Sequence, residues 1–483
     1  MKFEFIGLKE KYKSLSEPVK ASVWYTICNV INKGIALIST PIFTRVMTEE
    51  QYGTFSIFQS WYSIILIFTS LNIFLGGYTK GLLLYKDKRD EFTSSLLFLT
   101  TIITCGFGVI YFLNIDFWTN FFELSPVLMT AMFIELTLMP ALEFWSAKER
   151  FDFKYRKYVM VTIVMTVLSL GGGVIAVLNT PYKIEARVFS DVAAKAIFSG
   201  SIFLVIILRG KKLFVKDYWK YALRFNLPLI PHYLSTYILN QSDRLMIGRI
   251  VGSGEAAYYS VAYTISMMMT LITAAINNTL TPYIYKAIDA GDEDNIKKVN
   301  RPIFLFVAGL TIITMVFAPE VIWVFAGKKY AEAIYVIPPI AASVFFIFLY
   351  SMFSAIEHFY EKTGFIAIAT CVSAILNLIL NYIFIVKYGY YAAGYTTLVC
   401  YICLALSHYL FYRCILKEKF QDTRDLYDIK LIIITSIAVL IIMLFMVLIY
   451  KFSVLRYGLI LLLLVYAVWK RKYFADVLNL IKK

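Results

Sequence analysis

The sequence predicts an all-α integral membrane protein of about fourteen transmembrane helices, arranged as two six-helix lobes related by a pseudo-twofold axis along the membrane normal, plus a C-terminal helix pair. Three observations predict it. The chain is 60% hydrophobic and 16% charged over 483 residues, with mean hydropathy +0.70, too apolar for a soluble protein of that length. Apolar runs of about twenty residues recur along the chain, each long enough to cross a hydrocarbon core of about 30 Å. Lys and Arg concentrate in alternate connections, as in a chain that threads the bilayer back and forth.

In order, residues 1–20 form a cytoplasmic N-terminal segment. Phe3, Phe5, Ile6 and Leu8 precede Lys9, Lys11 and Lys13, which suits a short interfacial helix or a disordered basic tail equally. No cleavable signal peptide is apparent, so the first span serves as signal anchor. Spans one to six begin near Ala21, Thr54, Ser94, Leu124, Tyr158 and Arg187 and make the N-lobe, 21–208. A cytoplasmic linker, 209–220, leads to spans seven to twelve from Tyr221, Ala256, Pro302, Glu332, Gly364 and Ala392, the C-lobe, 221–415. A cytoplasmic loop, 416–428, precedes the last two spans, from Ile429 and Ser453, and the cytoplasmic tail, within 429–483. The connections are short, and none is large enough to hold an independent active site.

The charge of +15 would suggest nucleic acid in a soluble protein. Here the basic residues sit in short connections: Lys148 to Lys157, Arg209 to Lys220 and Arg413 to Lys430 on one side, against sparse Arg45, Lys183 and Lys387 on the other. That is positive-inside patterning, with both termini cytoplasmic and no nucleic-acid partner. The six cysteines are scattered through apolar runs, and Cys400-x-x-Cys403 has no second pair, so neither a disulfide framework nor a metal site is expected. Three histidines are too few and dispersed for a metal centre. Gly327-Lys328-Lys329 lacks the rest of a nucleotide-binding loop, and no catalytic residue or cofactor is expected.

A weak internal repeat supports the two lobes. Arg45 and Ser56 flank the first outer loop as Arg249 and Ser260 flank a later one, an offset of 204 residues. Ser146-Ala147-x-Glu149-x-Phe151 matches Ser354-Ala355-x-Glu357-x-Phe359 at an offset of 208.

The stretch Asn240 to Tyr263, NQSDRLMIGRIVG…AAYYSVAY, with its Tyr259-Ser260-Val261-Ala262-Tyr263, resembles the middle of polysaccharide transporters that flip lipid-linked oligosaccharides. Pro41 to Phe58, PIFTRVMTEEQYGTFSIF, is similar to the first outer loop of that family, with Tyr52-Gly53 in the usual place. These are the Wzx-type O-antigen and repeat-unit flippases of the multidrug/oligosaccharidyl-lipid/polysaccharide exporter superfamily. The resemblance implies a bacterial inner-membrane transporter, not an enzyme. Its implied substrate is an undecaprenyl-diphosphate-linked oligosaccharide, moved by alternating access, with a polysaccharide polymerase and chain-length proteins as partners beside the lipid bilayer. A multidrug extruder of the same superfamily is the first alternative, and a membrane polysaccharide polymerase the second.

A diphosphate and sugars need a hydrated, basic passage. Ser22, Thr26, Asn29 and Lys33 fall on one stripe of the first span, and Thr26, Asn29 and Lys33 are substrate-binding candidates; the alternative is Lys33 snorkelling. Lys195 follows Asp191 by one helical turn, so an ion pair that packs helices competes with a substrate ligand or proton switch. Glu135 is a candidate for proton coupling or a structural hydrogen bond. Arg224 either meets the diphosphate near the cytoplasmic face or marks the interface. Asp243 and Arg244 project about 100° apart and cannot face one point; the resemblance favours a structural or gating role for Asp243, and a pairing with Arg249 or Arg45 at the outer rim would suit a gate. Proton or Na⁺ coupling through Glu135 or Asp191 is considered. Pro41, Pro140, Pro228, Pro231, Pro338 and Pro339 can each kink a span, and Gly171-Gly172-Gly173 permits close helix approach.

Overall fold

A computed structural model describes residues 16–362, 364–420, 425–458 and 460–461. The N-terminal interfacial helix lies outside them, as does the fourteenth span beyond residue 461. Among the described residues every regular element is helical. Eleven of the helices among the described residues are long and apolar enough to cross a membrane. Two more, Glu49–Ser70 and Ile230–Ile250, have the length but are more polar. The contacts divide the chain into two units, residues 1–237 and 238–483.

The first unit contains α1 (Glu17–Val46), α2 (Glu49–Ser70), α3 (Gly77–Leu84), α4 (Arg89–Leu113), α5 (Ile115–Phe122), α6 (Pro126–Phe151), α7 (Tyr155–Leu178), α8 (Lys183–Gly210) and α9 (Lys216–Asn226). Local chemistry sets several ends. Thr48 and Gln51 make a capping box at the start of α2, and Ser125 caps α6 ahead of Pro126, whose missing N–H costs nothing there. Helix α8 packs against α4, α6 and α7, and α1 lies on α7. Tyr78, Phe92, Phe144, Tyr218 and Ala222 form the buried core at one end of this unit.

The segment expected as a linker followed by a span from Tyr221 is built differently. Lys216–Asn226 folds as a separate amphipathic helix, α9, which buries Tyr218 and Ala222 in the first unit's core and leaves Arg224 exposed. Trp219 Nε1 donates to Ser95 O at 3.0 Å, and the Tyr221 hydroxyl to Gly77 O at 3.0 Å. A 3₁₀ turn at Leu227–Leu229, where Pro228 lacks a donor, separates α9 from α10 (Ile230–Ile250). Hydropathy cannot separate a helix lying on a core from one crossing lipid when both carry Tyr, Ala, Leu and Phe.

The second unit continues α10 and adds α11 (Ser253–Met267), α12 (Met269–Asp289), α13 (Glu293–Val316), α14 (Ala318–Phe325), α15 (Ile337–Phe359), α16 (Gly364–Tyr388), α17 (Tyr391–Phe420) and α18 (Ile429–Ile449). Helix α15 is the centre of this unit: it packs on α11, α12, α13, α17 and α18 and is buried over most of its length. The span expected from Glu332 begins at Ile337, after a 3₁₀ segment Lys328–Tyr335. Pro338 and Pro339 therefore fall in the first turn of α15, where they start a helix rather than kink one. Pro41 and Pro140, by contrast, lie inside α1 and α6.

The repeat recurs in the backbone. Helices α1 and α10 each end one residue after Arg45 and Arg249, and α2 and α11 begin at Glu49 and Ser253, the same offset. Beyond α6 and α15, Phe153 and Glu361 both adopt a left-handed φ of 57°, and Lys154 N and Lys362 N each bond back to Glu149 O and Glu357 O at 2.8 Å. The two sequence matches thus mark equivalent helix ends.

Candidate functional site

The first unit brings three of the expected residues together. Lys195 on α8 donates to Glu135 Oε1 on α6 at 2.6 Å and pairs with Asp191 Oδ2, one turn earlier, at 2.8 Å. Ser169 on α7 donates to the second Asp191 oxygen. Tyr62 of α2 faces the lysine, its ring centroid 5.6 Å from Nζ. Glu135 and Asp191 are buried, while the Lys195 side chain keeps 20% exposure. One turn before Asp191, the buried Arg187 guanidinium lies 4.4 Å from the Phe43 ring and 4.7 Å from that of Phe55, and its Nε and Nη1 find no acceptor. Two acids and two bases thus balance across α6 and α8. In a low-dielectric interior each charge is tolerable only because the others are there.

Thr26 and Asn29 are exposed on α1, the Thr26 hydroxyl returning to Ser22 O at 2.9 Å. Lys33 continues that face by helix position; its side chain lies outside the described residues. Arg45 and Arg249 sit exposed at the last turns of α1 and α10, and Arg45 Nη1 donates to Pro41 O at 2.8 Å.

In the second unit Asp243 of α10 is fully buried. Its Oδ1 accepts from Asn381 Nδ2 at 2.5 Å; its Oδ2 accepts from the Tyr259 hydroxyl and, at 2.8 Å, from Thr397 Oγ1. Asn377 extends the network, accepting from Ser242 Oγ at 3.0 Å and donating to Thr397 Oγ1 at 3.3 Å. Both Asp243 oxygens are thereby taken, so a rim pairing with Arg249 or Arg45 would require this network to open. Arg244 turns away as the 100° step demands: it bonds Gln241 Oε1 at 2.6 Å and lies 4.3 Å from the Tyr263 ring, whose hydroxyl donates to Asn240 Oδ1 at 2.8 Å. The Asn240–Arg244 stretch and the Tyr259–Tyr263 motif, which carry the family resemblance, are one packed structure.

The sequence reading missed the partners. Asn377 and Asn381 share one face of the apolar helix α16, one turn apart, and that was a visible signal; Thr396 and Thr397 had none. The buried pair of Glu357 and His408, 2.7 Å apart between α15 and α17, was also unforeseen.

Charges paired inside helices long and apolar enough to cross a bilayer define a polytopic membrane protein. The family described as "Polysaccharide biosynthesis protein" matches residues 19–288, and MatE matches 228–383. The chain belongs to that polysaccharide biosynthesis family, among the polysaccharide transporters of the multidrug/oligosaccharidyl-lipid/polysaccharide exporter superfamily. It is 20% identical to the probable low-salt glycan biosynthesis flippase Agl15 of Haloferax volcanii, over 83% of this chain and 85% of that one. It is 22% identical to a putative O-antigen transporter of Shigella flexneri, over 78% and 93%. In structure it resembles the lipid II flippase MurJ in its inward closed conformation, with TM-score 0.69 and 15% identity over 94% of this chain and all of that one. An inward-facing multidrug resistance MATE transporter follows at 0.65, with 15% identity over 83% and 99%.

Proposed function

We propose that the protein is a flippase that carries undecaprenyl-diphosphate-linked oligosaccharide repeat units from the cytoplasmic to the outer leaflet of a bacterial inner membrane by alternating access, for O-antigen, capsule or another surface polysaccharide. The observation that carries the reading is Lys195, a cation inside the first unit held by two carboxylates at 2.6 and 2.8 Å. A diphosphate competes with those carboxylates for the ammonium, and a proton on either carboxylate weakens its hold. Anion transfer and proton uptake are then linked at one group, which is the role assigned to Glu135, Asp191 and Lys195. Thr26, Asn29 and Lys33 on α1 and Arg224 on α9 serve as further polar contacts along the path. Asp243, with Arg244, Arg45 and Arg249, belongs to the gate, where opening breaks the bonds to Tyr259, Asn381 and Thr397. Both termini face the cytoplasm, and a polymerase and chain-length proteins receive the exported unit. Export of an anion from a negative interior is favoured by about 2.3 kcal/mol per charge per 100 mV, so no nucleotide is needed.

The MatE match within 228–383 favours a second reading, a multidrug extruder. Deletion of the protein tests both: a flippase leaves its lipid-linked oligosaccharide accumulated on the cytoplasmic leaflet. Normal surface glycan together with new drug sensitivity would overturn the flippase reading.

A further inference from the structure

At its basic end the first unit has a pocket of about 340 Å³ between α4, α6, α7 and α8, away from the Glu135–Lys195 cluster. Lys148, Lys154, Lys157 and Arg209 line it, against Asp90 and Glu149, so its lining carries two more positive than negative groups. The cations are unequally committed. Lys148 is paired with Asp90, and Lys154 reaches Asp152 at 3.2 Å. Lys157 and Arg209, exposed on α7 and α8, make no salt bridge or hydrogen bond among the described residues. Apart from Thr93 and Ser201 the rest of the lining is apolar, with Trp145, Val161, Phe198 and Val205 leading away from the charges. Those walls continue onto an open flank of the same helices, where Val164, Ile197, Leu204 and Leu208 are exposed.

Two cations that make no salt bridge or hydrogen bond among the described residues, above an apolar wall that runs down to exposed apolar helix surface, match a phosphate on an acyl-chain anchor. A basic pocket between membrane helices is where an anionic headgroup is held, because the cations meet the phosphate while the chains stay in hydrocarbon. We propose that this pocket is a resident site for an anionic phospholipid, its phosphate on Lys157 and Arg209 and its chains along α7 and α8. The site ties α7 and α8 to α4 and α6 at the basic face. It does not depend on what the protein transports.

The test titrates the full-length protein in neutral detergent with phosphatidylglycerol, phosphatidylethanolamine, phosphatidylcholine and undecaprenyl diphosphate, counting bound lipid by native mass spectrometry. Phosphatidylglycerol is expected to bind most tightly. Lys157→Gln and Arg209→Gln each weaken it about fivefold and the double variant about 25-fold, the loss for one surface charge near an anionic headgroup. Lys80→Gln, which removes an exposed charge on α3 outside the pocket, leaves binding unchanged. Equal binding of phosphatidylglycerol in the double variant and the native chain overturns the proposal. So does preference for phosphatidylethanolamine, whose ammonium would meet Glu149, where Oε2 lacks a partner. Displacement of phosphatidylglycerol by an equal amount of undecaprenyl diphosphate, lost in the double variant, would reassign the pocket to a transported lipid and overturn the resident-phospholipid assignment.

Discussion

Lys195 holds two carboxylates with one ammonium, and this decides what its loss does. Lys195→Ala leaves Glu135 and Asp191 buried with no lysine between them, and removing one partner of a buried ion pair costs about 3–5 kcal/mol. Arg187 cannot replace it without leaving Phe43 and Phe55, between which it is stacked. Thermal unfolding in detergent should therefore show a large loss for Lys195→Ala, partly recovered when Glu135→Gln removes one of the stranded acids; equal stability of the single and double variants would contradict the triad. The local half of this arrangement was legible, because Asp191 and Lys195 lie one helical turn apart. Glu135 was recognised as a buried acid but not as a partner, since a contact sixty positions away follows from the packing of α6 on α8 and not from any spacing. The same holds for Asp243. Its carboxylate stood out as a costly group in an apolar segment, yet its donors Asn381 and Thr397 lie 138 and 154 residues further on.

At the scale of elements, helix contacts are set by a few small residues and helix ends by prolines and caps. Gly210 closes α8 against α4: a Cβ there would stand 2.3 Å from Asp90 O and 2.1 Å from Ser94 Oγ, and a backbone carbonyl cannot swing aside. Gly210→Ala should cost about 1–3 kcal/mol, as overpacking does, and lower the melting temperature, whereas Gly200→Ala on the same helix, with open space around it, should not. A second contact joins α14 to the residues after α18. Arg456, itself buried, pairs with Glu320 Oε2 at 2.5 Å, and Tyr457 donates to Oε1 at 2.8 Å. Burial alone would raise the Glu320 carboxyl, but the bonds from Arg456 and Tyr457 outweigh it and hold the group below its usual 4.5. A carboxyl depressed in the folded state contributes stability above its unfolded value and loses it as pH falls through the folded one. Melting temperature should thus fall below about pH 4.5, and the fall should be smaller in Glu320→Gln; an identical pH profile would exclude the contact. Helix ends were legible where the internal repeat marked them, at Arg45, Arg249, Glu149 and Glu357. They were not at Tyr221, because α9 is as apolar on its buried face as a true span, nor at Pro338 and Pro339, whose effect depends on whether the helix has already begun.

For the whole molecule, the sequence carried the membrane character and the transporter family in features that need no tertiary information: composition, span-length apolar runs, alternating basic connections, and motifs that turn out to pack against each other. Orientation follows from the same charges. The ends carrying Lys148, Lys154, Lys157, Arg209, Arg413 and Lys417 should face the cytoplasm, because positive segments are retained there during insertion. Two positions make this measurable. Cys414 is exposed at the basic end of α17, one residue beyond Arg413, whose guanidinium bonds Asp425 at 2.8 Å. Asn179 is exposed at the opposite end of α7, where its side-chain amide donates to its own helix's Ile175 O at 2.7 Å. In a chain retaining Cys414 alone, a membrane-impermeant maleimide should label inside-out vesicles and not intact cells. In a cysteine-free chain with Asn179→Cys the pattern should reverse. Labelling of both from one side would mean an even number of crossings between them, contrary to alternation of the basic connections, and labelling in the inverse sense would place the basic ends on the outer face, against the retention of positive segments in the cytoplasm.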